Sequence, residues 1–301
     1  MQKFLSIFEL PESMDPLKKG VIYMIISVVG FALMNLVVKF LPTIPATELV
    51  LFRSIVSLTL SLAMIRQKKL KPFGNNKKWL LIRGIFGVIA LTLFFYTLQR
   101  LPIGSAITIQ YLSPIFTAFF AIFLLGEKMK PIQWVYFAIA FLGIGIIKGF
   151  DSNISTMLLL AGIGSAVFSG IAYNAIRKLK DTDHPVVVVF YFPLVATPIM
   201  LVASMFIWVT PTGWEWLYLV LMGVLTQIAQ INMTKAYQSA PLNKVAPLKY
   251  GGVILAISFD VFIFGIHYQW ITLVGILMVI GGVILNMILK SSSKSSSSAV
   301  G

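Results

Sequence analysis

Apolar residues gather into ten long runs separated by short polar stretches, at approximately 20–40, 46–65, 79–99, 103–125, 132–149, 157–177, 186–209, 214–235, 244–265 and 269–289. Each run approaches the ~20 residues that a helix needs to cross about 30 Å of hydrocarbon. Backbone inside a bilayer must satisfy its own hydrogen bonds, so runs of this length predict helices rather than barrel strands. The expected fold class is an all-α membrane protein with ten transmembrane helices. Five runs fall in each half of the chain. An odd number of crossings makes the second half enter from the opposite side. The halves are therefore expected as two inverted five-helix repeats, an architecture suited to alternating access.

A shift of 139 residues superposes the two halves without gaps. Asn35 then falls on Asn174, Lys39 on Lys178, Gly84 on Gly223 and Pro102 on Pro241. Tyr111 falls on Tyr250, Gly126 on Gly265 and Gly143 on Gly282. Overall identity at this shift is barely above chance for two apolar segments. The repeat is carried by the matched turn and polar residues and by the unbroken block register. The boundaries expected are residues 20–150 for the first repeat and 157–290 for the second. Residues 1–19 read as a cytoplasmic amphipathic N-terminus lying on the membrane surface. Residues 291–301 read as a disordered Ser-rich tail.

Composition agrees with a chain dissolved in lipid. Of its 301 residues, 58% are apolar and 11% charged, against about 25% charged in a soluble domain. The absence of cysteine excludes disulfides, thiolate catalysis and cysteine metal sites. The formal charge of +14 does not point to nucleic acid, because the basic residues sit in short stretches between apolar runs rather than in one stripe. Their placement orients the chain instead. Lys3, Lys18, Lys19, Arg66, Lys68, Lys69, Lys71, Lys77, Lys78, Arg83, Lys128, Lys130, Arg177, Lys178, Lys180, Lys235, Lys244, Lys290 and Lys294 fall on one side, whereas the other side holds little beyond Lys39, Arg100 and Lys148. That asymmetry places both termini in the cytoplasm.

Ionisable residues inside a bilayer are costly, and each is a site candidate by default. Lys249 lies a turn or two into the ninth run, after Pro247 and before Gly251 and Gly252. Proline removes a helical hydrogen bond and glycine allows unwinding, so a cation beside loosened backbone there could hold a carboxylate or a phosphate. The alternative is a lysine that snorkels to the surface. Glu48 and Arg53 stand on the second helix about 140° apart, which disfavours a direct pair. Glu48 is expected to reach water near the outer end. Arg53 lies deeper and needs a partner: a helix end, Glu48 through a bend, or a substrate anion. Asp260, near the outer end of the ninth helix, reads as solvated, with a coupling role as the alternative.

The neutral polar candidates for a cavity lining are Asn35, Tyr96, Gln110, Tyr111, Tyr173, Asn174, Gln227, Gln230 and Tyr250. Gln227 and Gln230 are one turn apart and share a face. Each residue alone is equally explained by interhelical hydrogen bonding; the set converging on one cavity would be functional. Pro193 and Pro198 interrupt the seventh helix and mark either a gating bend or a static kink. Gly143, Gly145, Gly162, Gly164, Gly281 and Gly282 read as small-residue contacts for close helix packing. His184 and His267 fall on opposite sides of the membrane, and no P-loop, nucleophile elbow or paired-histidine motif occurs. An enzyme is not expected, nor is any cofactor.

The stretch Leu101-Pro102-Ile103-Gly104-Ser105-Ala106, running through Gln110-Tyr111-Leu112-Ser113-Pro114 to Leu125-Gly126-Glu127-Lys128, resembles the EamA domain of the drug/metabolite transporter superfamily. The Glu48–Arg53 segment is similar to that domain's second helix. Ala236-Tyr237 to Ala240-Pro241 and Ala246-Pro247-Leu248-Lys249-Tyr250 look like the matching part of a second copy. The resemblance covers roughly residues 20–290 and implies ten helices, inverted halves and a central cavity. It implies a proton-linked or facilitative carrier, often one that exports amino acids or other metabolites. Two positions depart from the pattern. The second copy has Gly265-Ile266 where the first has Gly126-Glu127. Lys249 stands where related second copies more often carry a neutral or acidic residue, which tilts the expectation toward solutes with a negative group.

The function expected is a secondary carrier in the cytoplasmic membrane of a bacterium, moving a small zwitterionic metabolite such as an amino acid outward. Lys249 is expected to meet the carboxylate, with Tyr111, Tyr250, Gln110, Asn174 and Gln227 lining the site and Glu48 and Arg53 at an outer gate. Glu48, Lys249 and Asp260 are the candidates for proton coupling. The expected partners are the substrate, membrane lipids and protons, in a monomer. Organic anions or nucleotide-derived metabolites are the alternative substrates, and a non-transporting scaffold or receptor is the alternative class.

Overall fold

The computed structural model describes residues 11, 13–127, 129–150, 154–180, 182–240 and 245–297, without the side chains of 150, 185, 237, 238, 246 and 287–297. All regular structure among these residues is helical: α1 Pro16–Lys39, α2 Ala46–Gln67, α3 Lys77–Arg100, α4 Ile103–Gln110, α5 Ser113–Leu125, α6 Pro131–Phe150, α7 Thr156–Leu179, α8 Pro185–Met205, α9 Glu215–Ser239, a 3₁₀ turn η1 Ala246–Tyr250, α10 Gly251–Phe262 and α11 Trp270–Ser297. Taking Ile103–Leu125 as one span, eight helices are long and apolar enough to cross a membrane, and Trp270–Asn286 is a shorter apolar helix. The chain is a multi-pass membrane protein.

The helix limits follow local chemistry. Asp15 caps α1, its carboxylate accepting from the Lys18 N–H at 3.0 Å, and Pro16 occupies the first turn, where its missing N–H leaves no gap. Residues 16–19 are thus the first turn of α1 rather than part of a separate surface segment; the rest of that expected segment, apart from residues 11 and 13–15, lies outside the described residues. At the other end α11 runs on to Ser297, into the stretch read from composition as a disordered tail. No glycine or proline stands there to stop a helix already nucleated upstream. The helix α8 ends at Met205, short of the run's apolar end at Val209.

The strongest contacts join one half of the chain to the other: α1 with α9, α3 with α7, α2 with α8 and α6 with α11. Under the 139-residue shift the first two pairs exchange, and each of the last two maps onto itself. Single residues obey the same rule. A Cβ on Gly84 would lie 2.7 Å from Val195, and one on Gly223 would lie 2.6 Å from Val56. Those contacts are images of one another. Gly143 meets the carbonyl of Gly275, and its image Gly282 meets the carbonyl of Tyr136. Gly126 and Gly265 both take the left-handed conformation, with φ of 68° and 64°. The two halves therefore interleave about a pseudo-two-fold axis.

The main apolar core includes Leu49, Phe95, Leu98, Leu101, Ile103 and Leu112. Outward faces carry exposed Leu142, Leu160, Ile254 and Leu277, as lipid contact requires. Exposed Trp208, Trp214, Trp216 and Trp270 cluster at one end of the bundle, and Trp134 lies at the other, lysine-rich end.

Candidate functional site

The fourth run does not fold as one helix. It breaks between α4 and α5 at Tyr111 and Leu112, just before Pro114. The ninth run starts as the 3₁₀ turn η1 and becomes α-helical only at Gly251. These two breaks occupy equivalent positions in the repeats, and they touch. The Tyr111 hydroxyl donates to the Lys249 carbonyl at 2.6 Å, and the Tyr111 and Tyr250 rings meet edge to face with centroids 4.8 Å apart. A Cβ on Gly252 would lie 3.1 Å from the Tyr111 hydroxyl. Broken helices that face each other across a repeat axis expose backbone polar groups at membrane depth, which is tolerated where they line a cavity or are buried in protein. Lys249, Tyr111 and Tyr250 are thus brought together, with Lys249 half-buried.

Gln227 and Gln230 lie elsewhere. They line a cavity of about 110 Å³ at the lysine-rich end, between α2, α8 and α9, together with Ser61, Lys68, His184 and Lys235. Gln227 donates to the Ser61 hydroxyl at 3.2 Å. At the mouth, the His184 imidazole accepts from the Val186 N–H at 3.2 Å and starts α8. Burial, and then the charge of Lys68, hold that imidazole below its usual range.

Two arginines lie deeper. Arg53 is 5% exposed, and its Nε donates to the Thr226 hydroxyl at 3.1 Å. Its guanidinium carbon sits 5.4 Å from the centroid of Phe192, and that of Arg83 sits 5.1 Å from the same ring. The Arg83 Nε is buried without a hydrogen-bond partner among the described residues. Gly87 makes the room, since a Cβ there would overlap the Arg83 guanidinium and come within 3.0 Å of Phe192. Counting Arg83 with the loop charges hid it from the sequence reading. The available signal was an arginine nearly two turns inside α3, followed by Gly84 and Gly87.

The other expected lining residues have the following contacts. Gln110 donates to Ser169 at 2.9 Å and accepts from Ser165 at 2.7 Å, joining α4 to α7. The Asn174 amide donates to the carbonyls of Thr117 and Gly170 at 2.9 and 3.0 Å. Tyr96 lies under Arg100, 3.9 Å from its centroid. Asn35 is buried with its carbonyl oxygen unpartnered among the described residues, and Tyr173 is 37% exposed.

Glu48 and Asp260 do not reach water as expected; both are fully buried. Glu48 accepts from the Val209 N–H at 2.7 Å, closing the stretch after α8 onto α2. Asp260 accepts from the N–H groups of Ile103 and Gly104 at 2.9 and 2.7 Å and from the Tyr268 hydroxyl at 2.5 Å. Its charge sits at the positive N-terminus of α4. Burial, and then Asp260, push the Tyr268 phenol up, so it remains a donor. The helix α8 continues through Pro193 and Pro198, and the Thr197 hydroxyl donates to the Pro193 carbonyl at 2.7 Å.

Comparison with known proteins agrees with this geometry. Residues 18–148 and 156–288 each match the EamA-like transporter family. The chain is 32% identical over 247 residues to the pseudopaline exporter CntI of Pseudomonas aeruginosa, covering 80% of this chain and 86% of that protein. It is 27% identical to solute carrier family 35 member G1 of Homo sapiens, over 87% of this chain and 76% of that one. It is 26% identical to a riboflavin transporter of Vibrio cholerae, over 82% and 85% respectively. A crystal structure of 16% identity shares the fold with a TM-score of 0.65, covering 90% of this chain and 97% of the other.

Proposed function

The chain belongs to the EamA-like transporter family, a family of transporters rather than enzymes, and we propose that it is a secondary carrier exporting a small zwitterionic, carboxylate-bearing metabolite. The observation that carries this reading is the contact between the two helix breaks, where the Tyr111 hydroxyl holds the Lys249 carbonyl. It brings the Lys249 backbone and the Tyr111 and Tyr250 rings together at the junction of the repeats, which supports a cargo site there, as in other inverted-repeat carriers. Lys249 meets the substrate carboxylate there, and Tyr111 and Tyr250 pack against its body.

Export is supported by the cavity at the lysine-rich end, which faces the cytoplasm if the positive-inside bias holds. In that orientation both termini are cytoplasmic, and the cavity loads from inside a bacterial cell. The relative named as an exporter is consistent with the same direction.

The test is counterflow in proteoliposomes, with amino acids, organic acids and adenosine-containing metabolites as the panel. Saturable exchange of one amino acid class is the expected result. Lys249→Met is expected to lower that exchange at least tenfold while leaving the thermal midpoint unchanged. Exchange confined to adenosine-containing solutes, or full activity in Lys249→Met, would remove the reading.

A further inference from the structure

We propose that Arg53 and Arg83 form a second binding subsite, which holds an oxyanion of the transported solute, a carboxylate or a phosphate, in addition to the group at Lys249. This deepens the carrier reading and rests on it only for the identity of the ligand.

Neither guanidinium has a carboxylate partner among the described residues. Arg53 has one hydroxyl, from Thr226, and the two cations share the Phe192 ring. A guanidinium keeps its charge at any physiological pH, so it cannot escape burial by losing its proton. Two such charges near one ring repel each other, and the shared aromatic ring offsets that only in part. Further polar groups on the same helices are also incomplete. The Arg83 Nε and the hydroxyls of Ser54 and Ser57 are buried without hydrogen-bond partners among the described residues. Buried polar groups in native proteins are almost always satisfied, so unfilled donors on the two helices that carry these arginines are groups a ligand would complete.

The route in is continuous. Ser61 lines the cavity at the lysine-rich end, and Ser57 and Arg53 follow it up the same face of α2 at four-residue intervals. Arg53 thus lies about 12 Å deeper than Ser61 along the helix axis. The wall opposite is α9, with Gln227 beside Ser61 and Thr226 beside Arg53. An anion entering past Lys68 and Lys235 meets a polar strip that ends in two guanidiniums. Their planar forks suit the oxygens of a carboxylate or phosphate. A solute that also occupies Lys249 must then carry two acidic groups.

The experiment is a titration of the purified full-length protein with L-alanine, L-aspartate and O-phosphoserine, read by intrinsic tryptophan fluorescence and thermal midpoint. Aspartate, phosphoserine or both are expected to bind at least tenfold more tightly than alanine; which of them does so tells carboxylate from phosphate. Arg53→Gln and Arg83→Gln are each expected to remove that advantage, bringing the affinity for the acidic solutes to that for alanine. Removing the buried Arg53 charge, which has no carboxylate partner among the described residues, is expected to hold or raise the thermal midpoint. Equal affinity for all three solutes, or an advantage that survives both substitutions, would overturn the subsite. If the neutral variants do not fold, Arg83→Lys carries the test, because it keeps the charge and loses the fork. A several-fold loss for the acidic solutes supports the subsite, and unchanged affinity overturns it. Arginine-dependent binding without counterflow would remove the carrier reading alone, and counterflow with arginine-independent binding would remove the subsite alone.

Discussion

Asp260 shows how far a single residue can move between pattern and structure. Its place near the end of an apolar run suggested a solvated carboxylate. Instead it is fully buried and joins α10 of the second repeat to the first turn of α4 in the first. A pattern of residue types cannot reveal this, because the two N–H groups it caps lie more than 150 positions upstream. The capping role makes a stability prediction. Asp260→Ala leaves two helix donors and the Tyr268 hydroxyl without their acceptor, which costs about 3 kcal/mol. Tyr268→Phe loses one bond and costs about 1 kcal/mol. Thermal or denaturant unfolding in detergent checks both values. Unchanged stability in Asp260→Ala with transport abolished would assign Asp260 to coupling instead.

At the scale of the elements, the positions of the spans were legible and their faces were not. Run lengths located eight spans within a few residues, because crossing the bilayer imposes a length, whereas the ninth run folds as a 3₁₀ turn and a twelve-residue helix. The break at Tyr111 was hidden, since residues 103–125 are apolar throughout and only Pro114 hints at a second start. Rotation about each axis was hidden for a related reason: lipid and protein are equally apolar, so neither face is marked. Gly143 and Gly145 make the point. Both read as packing glycines, yet a Cβ on Gly143 would lie 2.6 Å from the Gly275 carbonyl, whereas one on Gly145 meets nothing within 4 Å. Gly143→Val is expected to force α6 and α11 apart at a cost of about 1–3 kcal/mol. Gly145→Ala is expected to be neutral or to gain up to about 1 kcal/mol from helix propensity. Parallel thermal midpoints decide it, and equal effects at the two sites would contradict the packing seen between α6 and α11.

For the whole molecule, the repeat was readable as a register of 139 residues, but the pairing of halves was not. Interleaving makes nearly every long contact an inter-repeat one, so relative motion of the repeats must break specific bonds at one end and form others at the opposite end. The end remote from the lysines is bridged by polar contacts. Thr43 donates to Glu215 at 2.7 Å, Glu48 holds Val209, and Gln99 donates to the carbonyls of Leu41 and Ile44 at 2.6 and 2.8 Å. Thr43 belongs to the first repeat and Glu215 to the second, so their contact reports closure between halves. The chain contains no cysteine, which gives a silent background for crosslinking. A Thr43→Cys/Glu215→Cys variant treated with a short reducible bis-thiol reagent is expected to lose at least nine-tenths of its counterflow, as a carrier locked closed at one end would. Reduction is expected to restore it, and each single-cysteine variant to remain active. Full counterflow with the crosslink complete on a gel would mean that solute passes without the halves parting at this end, and alternating access by repeat separation would fall with it.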